Sequence, residues 1–362
     1  MKTFKYRLKD RKQAKLARMS SSVNYVWNYC SEVSRKSWRQ RRKVLSGFDL
    51  NYLTGGISKE LGLNSTTVQA VGEQYAKSSK QHKKCARFRS YKRNLGWIPF
   101  KSTAVKVEGD TVRYCGEVFK FWKSRDLEGQ IKTGGFHQDS KGRWYVTFVC
   151  SVEQQKKDLA NLQPVGIDLG LKQKLTLSNG QQFDRENLTK KHETKLAMAQ
   201  RAGKKKQVTN IHAKIKNSRS DWAHKTTTKI VNNYSKIVVG GVESTSVILN
   251  RRNMAKSVYD ASWFQLRQLL KYKANTLGVG YVEVNEAYTT QTCNVCQEKT
   301  GPKGLKGLSV REWECGCGAS HNRDVNAAQN ILRLGHQTPK GNPRPEGRGR
   351  MSRIRVDRGR RD

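Results

Sequence analysis

The stretch Val165-Gly-Ile-Asp-Leu-Gly-Leu171, followed by Leu175-Thr-Leu-Ser-Asn-Gly180, dictates the architecture of the second half of the chain. Val165–Ile167 is apolar and predicts a buried strand, which ends on the carboxylate of Asp168. A buried strand seldom carries a carboxylate unless the group binds a metal or accepts hydrogen bonds. Asn179-Gly180 is a two-residue hairpin signal, so the next strand is expected to turn back beside the first.

Two later strands also lie close to acidic residues. Residues 237–239 predict a second buried strand, and Glu243 follows it on the same face. Residues 281–286 predict a third strand. Glu286 continues the apolar face of that strand, so we expect it to be partly buried.

The last predicted helix begins on a further acid. Apolar residues recur at the helical period over Asp324–Leu334, and Gly335 is expected to end the helix at C′. Asp324 taken alone is most simply interpreted as the N-cap of this helix, a position that suits Asp. Taken with Asp168 and Glu286 or Glu243, it instead completes a group of carboxylates at one edge of a sheet.

Such a group of carboxylates predicts a metal site. Carboxylate oxygens are the ligands that Mg²⁺ or Mn²⁺ prefers. Two such ions about 4 Å apart hold the attacking and leaving oxygens of a phosphodiester during hydrolysis. The hairpin after the first acid, and the helices between the later strands, suit an RNase H-like nuclease fold.

Four cysteines fall within 25 residues: Cys293, Cys296, Cys315 and Cys317. Two residues separate the first pair, 18 residues follow, and one residue separates the second pair, which is close to the spacing of a four-thiolate zinc ribbon. The second pair is one residue short, and Gly316 and Gly318 give the backbone freedom to compensate. His321 is an alternative ligand. A loop so poor in apolar residues needs a metal to fold, so a closed, structural Zn²⁺ site is predicted.

The composition indicates a polyanionic partner. The chain has 71 Lys and Arg against 29 Asp and Glu, a net charge of +42 spread along its whole length. Nucleic acid is the expected partner, with a membrane surface as the main competitor. No apolar run approaches the ~18 residues of a membrane span, and no apolar core of a secretory signal follows Met1. We therefore expect a cytoplasmic protein that does not enter the membrane.

The first 160 residues predict a different architecture. Residues 2–9 alternate as a strand, residues 11–86 have helical periodicity, and residues 87–160 contain short β segments. We interpret 1–10 and 87–160 as a β-barrel interrupted by a helical insertion. Residues 161–287 and 321–335 then form the nuclease domain, and 288–320 the zinc ribbon. Residues 336–362 are expected to be a disordered basic tail.

These motifs resemble a known family. Gly166–Leu171 with Leu175–Gly180 resembles the first motif of a RuvC nuclease domain, and Thr289–Cys296, Trp313–Gly318 and Asn322–Leu332 resemble its zinc ribbon and third motif. In this order they resemble TnpB (OrfB), the transposon-encoded RNA-guided nuclease, to which type V CRISPR effectors are related. The resemblance implies an α+β multidomain protein with an N-terminal β-barrel (wedge), a helical recognition insertion and a RuvC domain with an inserted zinc ribbon.

The resemblance also implies an activity and its partners. Such proteins bind a guide RNA from the transposon end, pair it with a double-stranded DNA target beside a short transposon-adjacent motif, and cut the DNA. Asp168 would bridge two Mg²⁺ (or Mn²⁺) ions, Glu286 would hold one and Asp324 the other. A companion transposase is a further expected partner, and the chain could act as a monomer or dimer. The resemblance also implies a bacterial, nucleoid-associated protein.

One departure from the family concerns the second acid. The position that usually carries it falls on Gly241. Some relatives carry this glutamate on a neighbouring strand just before the zinc ribbon, and Glu286 fits that location. Glu243, two residues after Gly241, is the alternative, and loss of cleavage is the third possibility.

Several basic runs are candidates for contacts with nucleic-acid phosphates. They comprise Arg39, Arg41, Arg42, Lys43, Lys204, Lys205, Lys206, Arg251, Arg252 and Arg323. A solvated surface is an equally good interpretation for Arg323. Four tryptophans, Trp27, Trp38, Trp97 and Trp122, could stack on bases, although core packing is the simpler interpretation. Two other functions stay open: a guide-independent transposase or DNA nuclease, and a cleavage-deficient RNA-guided DNA-binding repressor.

Overall fold

A computed structural model of the chain describes residues 1–9, 12–153, 157–241, 255–303, 307 and 309–337. Glu243, Arg251 and Arg252 lie outside these residues, as does nearly all of the expected basic tail. The chain forms two compact units. Unit 1 comprises Met1–Asp158, Glu186–Lys225 and Tyr272–Gly278; unit 2 comprises Leu159–Arg185, Thr226–Lys271 and the residues from Val279.

Unit 1 contains a four-stranded antiparallel sheet with the order β1-β7-β6-β2. Its strands are β1 (Lys2–Arg7), β2 (Trp97–Lys101), β6 (Gln130–Gln138) and β7 (Trp144–Ser151). Phe4 on β1 pairs with Phe148 on β7, and both side chains are buried. The rings of Phe100 and Phe136 pack with their centroids 5.5 Å apart. Aromatic side chains thus supply most of this core.

A second sheet of unit 1 is formed by β3 (Val105–Glu108), β4 (Thr111–Tyr114) and β5 (Glu117–Lys120). One isolated bridge, between Leu8 and Phe121, joins the end of β5 to the end of β1. The expected closed barrel is wrong for the described strands, because β2 continues through a 3₁₀ turn (Ser102–Ala104) into β3 without pairing with it. The strands instead form two open sheets.

Three helices lie between β1 and β2, as the sequence predicts: α1 (Gln13–Arg41), α2 (Gly47–Leu53) and α3 (Ser65–His82). Val23, Val26 and Cys30 recur on one face of α1 and are all fully buried. Ser46 caps α2 through a capping box with Asp49, and Asn64 caps α3. Trp27 and Trp97 are half-buried, whereas Trp38 and Trp122 are exposed.

Unit 2 is built on a five-stranded sheet with the order β10-β9-β8-β11-β12. The strands are β8 (Pro164–Asp168), β9 (Leu175–Leu177), β10 (Gln182–Phe183), β11 (Lys236–Gly240) and β12 (Gly280–Val284). β8, β11 and β12 are parallel, while β9 and β10 fold back as the predicted hairpin. The carboxyl ends of the three parallel strands therefore meet at one edge.

The long basic segment between β10 and β11 is helical, with a break at residues 202–204. It forms α4 (Leu188–Lys191), α5 (Glu193–Arg201) and α6 (Lys205–Asn233). The helical segment 255–277 is divided into α7 (Ala255–Ala261) and α8 (Trp263–Leu277) by Ser262, whose φ is 57°. No described helix has the length and hydropathy of a membrane span.

The last elements are the hairpin strands β13 (Glu312–Glu314) and β14 (Ser320–Asn322), followed by α9 (Arg323–Gln337). The prediction that Gly335 ends this helix is wrong, because α9 continues through it. A β-carbon at Gly335 would lie 2.4 Å from Val238, and one at Gly166 would lie 2.0 Å from the carbonyl oxygen of Ala328. These two glycines allow α9 to pack directly on the sheet.

Candidate active site

Asp168 is the last residue of β8 and lies at the carboxyl edge of the sheet. Burial raises the pKa of Asp168 to about 8, and the carboxylates of Glu286 and Asp324 shift it in the same direction. Arg323 and Arg311 oppose the shift but do not cancel it. The structure thus brings together the three acids that the sequence singles out, and their negative charges repel one another.

Glu286 follows β12, the strand beside β11, and its side chain lies against Gly240. A β-carbon at Gly240 would be only 2.4 Å from Oε2 of Glu286 and 3.3 Å from its Cβ. Burial raises the pKa of Glu286 to about 7, although the guanidinium of Arg267 acts in the opposite direction. Oε2 of Glu286 is buried and has no hydrogen-bond partner in the described part of the chain.

Asp324 lies in the first turn of α9 and is not its N-cap. Oδ1 of Asn322, the residue before the helix, accepts a hydrogen bond from the Val325 amide at 3.3 Å. Nη1 of Arg311 lies 3.1 Å from both oxygens of Asp324. The interpretation of Asp324 as a cap is therefore wrong, and its carboxylate is held by a cation from another segment.

Arg323 precedes this acid but is not a solvated surface residue. Its side chain is buried, and Nη1 donates to the carbonyl oxygen of Gly307 at 2.6 Å. A contact between Arg323 and a phosphate stays a prediction.

The three acids fit a pair of divalent cations. Hard oxygen ligands gather at one edge, two of them titrate well above their ordinary range, and one carboxylate oxygen has no partner among the described residues. A nearby cation favours the charged form of each carboxylate and so removes the penalty of ionising them together.

The four clustered cysteines form a second candidate metal centre. Their sulfur atoms all lie within 4.8 Å of one another and can hold a metal such as zinc. Sγ of Cys293 is 3.8 Å from that of Cys317, and Sγ of Cys296 is 3.5 Å from that of Cys315. The turn at Gly318, with φ of 86°, lets the short Cys-x-Cys pair face the longer pair.

Two side chains contact these sulfurs from outside the set of four. Nε2 of His321 lies 3.0 Å from Sγ of Cys293, and Oγ1 of Thr300 lies 3.1 Å from Sγ of Cys315. His321 stacks on Trp313 with ring centroids 4.5 Å apart. His321 is thus placed to orient a thiolate through a hydrogen bond, as the neighbours of metal ligands do.

The cysteine segment is tied to α9 by buried amides that sequence reasoning alone missed. Nδ2 of Asn326 donates to the carbonyl oxygen of Thr292 at 2.8 Å, and Nδ2 of Asn330 donates to the same oxygen at 2.7 Å. Oδ1 of Asn326 accepts from the Asn294 amide at 3.0 Å. The sequence did contain a signal for these contacts: two Asn residues, four apart, lie on the otherwise apolar face of this helix, and buried amides need hydrogen-bond partners.

The basic candidates lie at the C-terminal end of α1 and the N-terminal end of α6. Arg39 and Arg41 lie in the exposed last turn of α1, where Arg42 contacts Trp38, and Lys43 pairs with Asp49 at 3.1 Å. Lys205 and Lys206 begin α6 after Lys204, and all three are exposed. Their contacts with nucleic acid stay predictions.

Two protein families match the part of the chain that carries these features. Residues 147–248 match the family described as "Probable transposase" (OrfB of IS605), and residues 263–331 match the "Cas12f1-like, TNB domain" family. The first range begins within β7 and includes β8 to β11. The second range includes α8, β12, the four clustered cysteines and most of α9. Both acids at the ends of β8 and β12 thus fall within matched ranges.

Curated relatives extend the similarity to nearly the whole chain. A Streptomyces pristinaespiralis protein named "Putative RNA-guided DNA endonuclease" is 29% identical over 363 residues, which cover 92% of this chain and 89% of the relative. The Escherichia coli K12 protein InsQ, of the same description, is 28% identical, and the match covers 60% of each chain. TnpB-like protein L79 of Acanthamoeba polyphaga mimivirus is 26% identical, with 47% of its length covered.

A solved structure has the same fold. The Cas12f1 chain in a cryo-EM complex with single-guide RNA and target DNA superposes with a TM-score of 0.60 at 13% identity, covering 90% of this chain and 83% of that one. The α+β architecture is therefore that of Cas12f1. With its OrfB and TNB segments in this order along one chain, the protein is similar to the OrfB transposases of IS605 and to proteins that carry a Cas12f1-like TNB domain.

Proposed function

We propose that the chain is an RNA-guided DNA endonuclease that hydrolyses phosphodiester bonds with two divalent cations. The observation that carries the proposal is the convergence of Asp168, Glu286 and Asp324. Burial, together with the charges of the other two carboxylates, raises the pKa of Asp168 to about 8. The protein has a net charge of +42, yet it places three acids close together. Such a cluster of perturbed carboxylates in a basic protein indicates a site that binds cations.

Each acid has a defined role in the proposed site. Asp168 is central, because both of the other carboxylates act on it, and we assign it to both ions. Glu286 and Asp324 each hold one ion. Mg²⁺ or Mn²⁺ would supply charge stabilisation for the transferring phosphoryl group. The chain's own part is to fix the three carboxylates on two parallel strands and one helix, which are rigid supports.

The cysteine cluster is proposed to bind Zn²⁺ in a structural role. Four thiolates close the coordination sphere and leave no position for substrate. We retain the division into a wedge-like β region (1–10 and 87–160), a helical insertion (11–86), a nuclease domain (161–287 and 321–335) and a zinc ribbon (288–320). The ribbon would contact the target nucleic acid.

The proposed partners are a guide RNA and a double-stranded DNA target. The relatives named as RNA-guided endonucleases and the Cas12f1 complex with guide RNA and target DNA support this proposal. In such a division of labour, base pairing reads the sequence while the protein contacts backbones and a short adjacent motif. The high positive charge would neutralise the phosphates of the heteroduplex.

One experiment tests guidance and cleavage together. The gene is expressed with its native flanking DNA, the protein is purified, and the bound RNA is sequenced. A single RNA with a constant scaffold and a variable end supports guidance, and that RNA then directs a cleavage assay on matched DNA. A heterogeneous RNA pool without guided cleavage contradicts it and favours direct DNA recognition.

The catalytic assignment has its own variants. Asp168→Ala should abolish cleavage, and Glu286→Gln should reduce it about 10²-fold or more, while both keep RNA binding. Glu60→Gln, at an exposed position of unit 1, is the control. Normal cleavage by Glu286→Gln with abolished cleavage in Glu243→Gln would move the second acid to Glu243. Guided binding without any wild-type cleavage would favour the repressor.

A further inference from the structure

A cavity of about 530 Å³ lies in unit 1 between the C-terminal halves of α1 and α3. The segment that follows α1, including Val44 and Leu45, forms another wall. Its volume is within the range of small-molecule sites and is large enough for a nucleobase with its sugar. The proposed catalytic residues and the four clustered cysteines lie elsewhere.

Three hydroxyl groups at this cavity have no hydrogen-bond partner among the described residues. Ser34 on α1 and Tyr75 and Ser79 on α3 carry them, and each of these residues is more than nine-tenths buried. Their hydroxyl oxygens are themselves buried. Buried hydroxyls are normally paired, so three unpaired ones around one cavity indicate a polar occupant.

The rim of the cavity is cationic. Lys43, Lys80, Lys83 and Lys84 contribute to its lining. Lys43 is paired with Asp49, whereas no ion pair involves the other three in the described part of the chain. Lysines at a helix C-terminus also stabilise the helix dipole, which accounts for Lys80 and Lys83 but not for the unpaired hydroxyls. An anion at the rim accounts for the lysines, and a polar group inside the cavity accounts for the hydroxyls.

Aromatic surface completes the site. The indole of Trp38 lines the cavity and is 46% exposed, so one face is accessible. Tyr75 is fixed from behind by Trp27, with ring centroids 5.2 Å apart in an edge-on arrangement. A planar, partly polar group would find the indole of Trp38 on the wall, hydroxyls within and lysines at the mouth.

We propose that this cavity binds one unpaired nucleotide of an RNA strand, with the base inside and its phosphate on Lys80, Lys83 and Lys84. Bases that are not paired are the ones that proteins stack on aromatic side chains and read by hydrogen bonds. RNA loops present such bases, whereas a DNA duplex does not. The inference rests on the proposed function, because it assigns the site to the RNA that the chain binds.

Ultraviolet cross-linking of the complex with its co-purified RNA tests the site directly. Peptides that carry Trp38 or Tyr75 should cross-link to one RNA position. Ser79→Leu, which fills the cavity, should lower this cross-link at least about ten-fold, while Ser21→Leu, on the exposed face of α1, should not change it. Thermal unfolding shows whether each variant is folded.

A surface variant covers the case in which Ser79→Leu does not fold. Lys80→Gln combined with Lys84→Gln should weaken binding of a 15-nucleotide oligouridylate. It should also lower the slope of log affinity against log salt by about 0.7 for each phosphate that the variant no longer neutralises. Lys77→Gln, exposed on the same helix but outside the cavity, is the control and should change neither.

The outcomes separate this inference from the proposed function. Guided cleavage with RNA cross-links elsewhere, or a cross-link here to thymidine oligonucleotides only, overturns the nucleotide site and leaves the nuclease intact. Equal effects of the Lys77 and Lys80/Lys84 variants likewise overturn it. Absence of any bound RNA contradicts the proposed function itself.

Discussion

Gly240 and Glu286 stand against each other at the ends of two neighbouring parallel strands. Oε2 of the glutamate occupies the space that a side chain at Gly240 would need, 2.4 Å from the position of its β-carbon. The sequence places the family's usual acid one residue further on, at Gly241. The absence of a side chain at Gly240 and the acid after β12 are therefore two parts of one arrangement.

Gly240→Ala should therefore impair cleavage more than folding. The added methyl group displaces Glu286, and a shift of about 1 Å in a catalytic group costs on the order of 10²-fold in rate. Steady-state cleavage and thermal unfolding, measured on the same preparation, check this. Gly55→Ala, where the nearest contact is 3.2 Å, is the control. A Gly240→Ala enzyme with full activity would show that Glu286 does not need its present position.

The contribution of Asp168 to the stability of the metal-free protein should fall as pH rises from about 4 to about 8. Asp168 releases its proton near pH 4 in the unfolded chain but near pH 8 in the folded one, so folding takes up a proton between these values. Asp168→Asn removes this dependence. The melting temperature of Asp168→Asn minus that of the wild type, measured in EDTA, should increase with pH by several degrees.

Addition of Mg²⁺ at pH 8 provides the complementary measurement. The cation should raise the melting temperature of the wild type and have a much smaller effect on Asp168→Asn, because ligand binding to the folded state alone is stabilising. A pH-independent difference between the two proteins, or equal stabilisation by Mg²⁺, would contradict the placement of Asp168 among the acids.

Arg311→Ala should increase the apparent affinity of the site for Mg²⁺. The guanidinium of Arg311 contacts both oxygens of Asp324 at 3.1 Å and so competes with a metal for them. We expect the half-saturating Mg²⁺ concentration in thermal-shift titrations to fall about two- to five-fold, corresponding to about 0.4–1 kcal/mol. Lys299→Ala, exposed in the cysteine segment, is the control. An unchanged or weaker affinity would show that Arg311 does not oppose metal binding.

Removal of metal from the cysteine cluster should unfold its segment. Zinc content is measured by mass spectrometry, and a chelator is expected to remove one equivalent and lower the melting temperature. Cys315→Ser should abolish stoichiometric zinc, whereas Cys115→Ser, outside the cluster, should retain it. Full zinc content in Cys317→Ser together with its absence in His321→Ala would identify His321 as the fourth ligand.

The strands that carry the candidate site could be predicted because they are short, apolar and buried. Val165–Ile167 and residues 237–239 have this character, and parallel strands with both faces covered have continuous apolar runs. Asp168 stood out because a carboxylate ended such a run. The cysteine cluster could be predicted from its spacing, since these metal ligands are close together along the chain as well as in space.

Two strands of unit 1 could not be predicted, because their residues resemble those of turns. β2 contains Pro99, and β6 contains Gly134 and Gly135. A β-carbon at Gly134 would lie 2.4 Å from the ring of Phe100, so this glycine serves close packing between strands. Gly335 was misinterpreted for the same reason. A glycine that ends a helix and one that packs against Val238 look alike in sequence.

Arg311 could not be singled out because basic residues are everywhere in this chain. Only the hairpin of β13 and β14 brings its guanidinium to Asp324. Glu286 was identified from the strand pattern and the resemblance together. Its contact with Gly240 could not be predicted, because it depends on the register of β11 and β12, in which Gly240 pairs with Val284.

The hydrogen bonds that join Asn326 and Asn330 to the carbonyl oxygen of Thr292 bear on attempts to shorten this protein. The helix that carries Asp324 takes part of its support from the segment that leads to Cys293. An engineer who excised residues 288–320 to obtain a smaller genome-editing tool would leave two buried amides unsatisfied and loosen the helix beneath the third acid. The cysteine-bearing segment is therefore part of the structural support of the helix that carries Asp324.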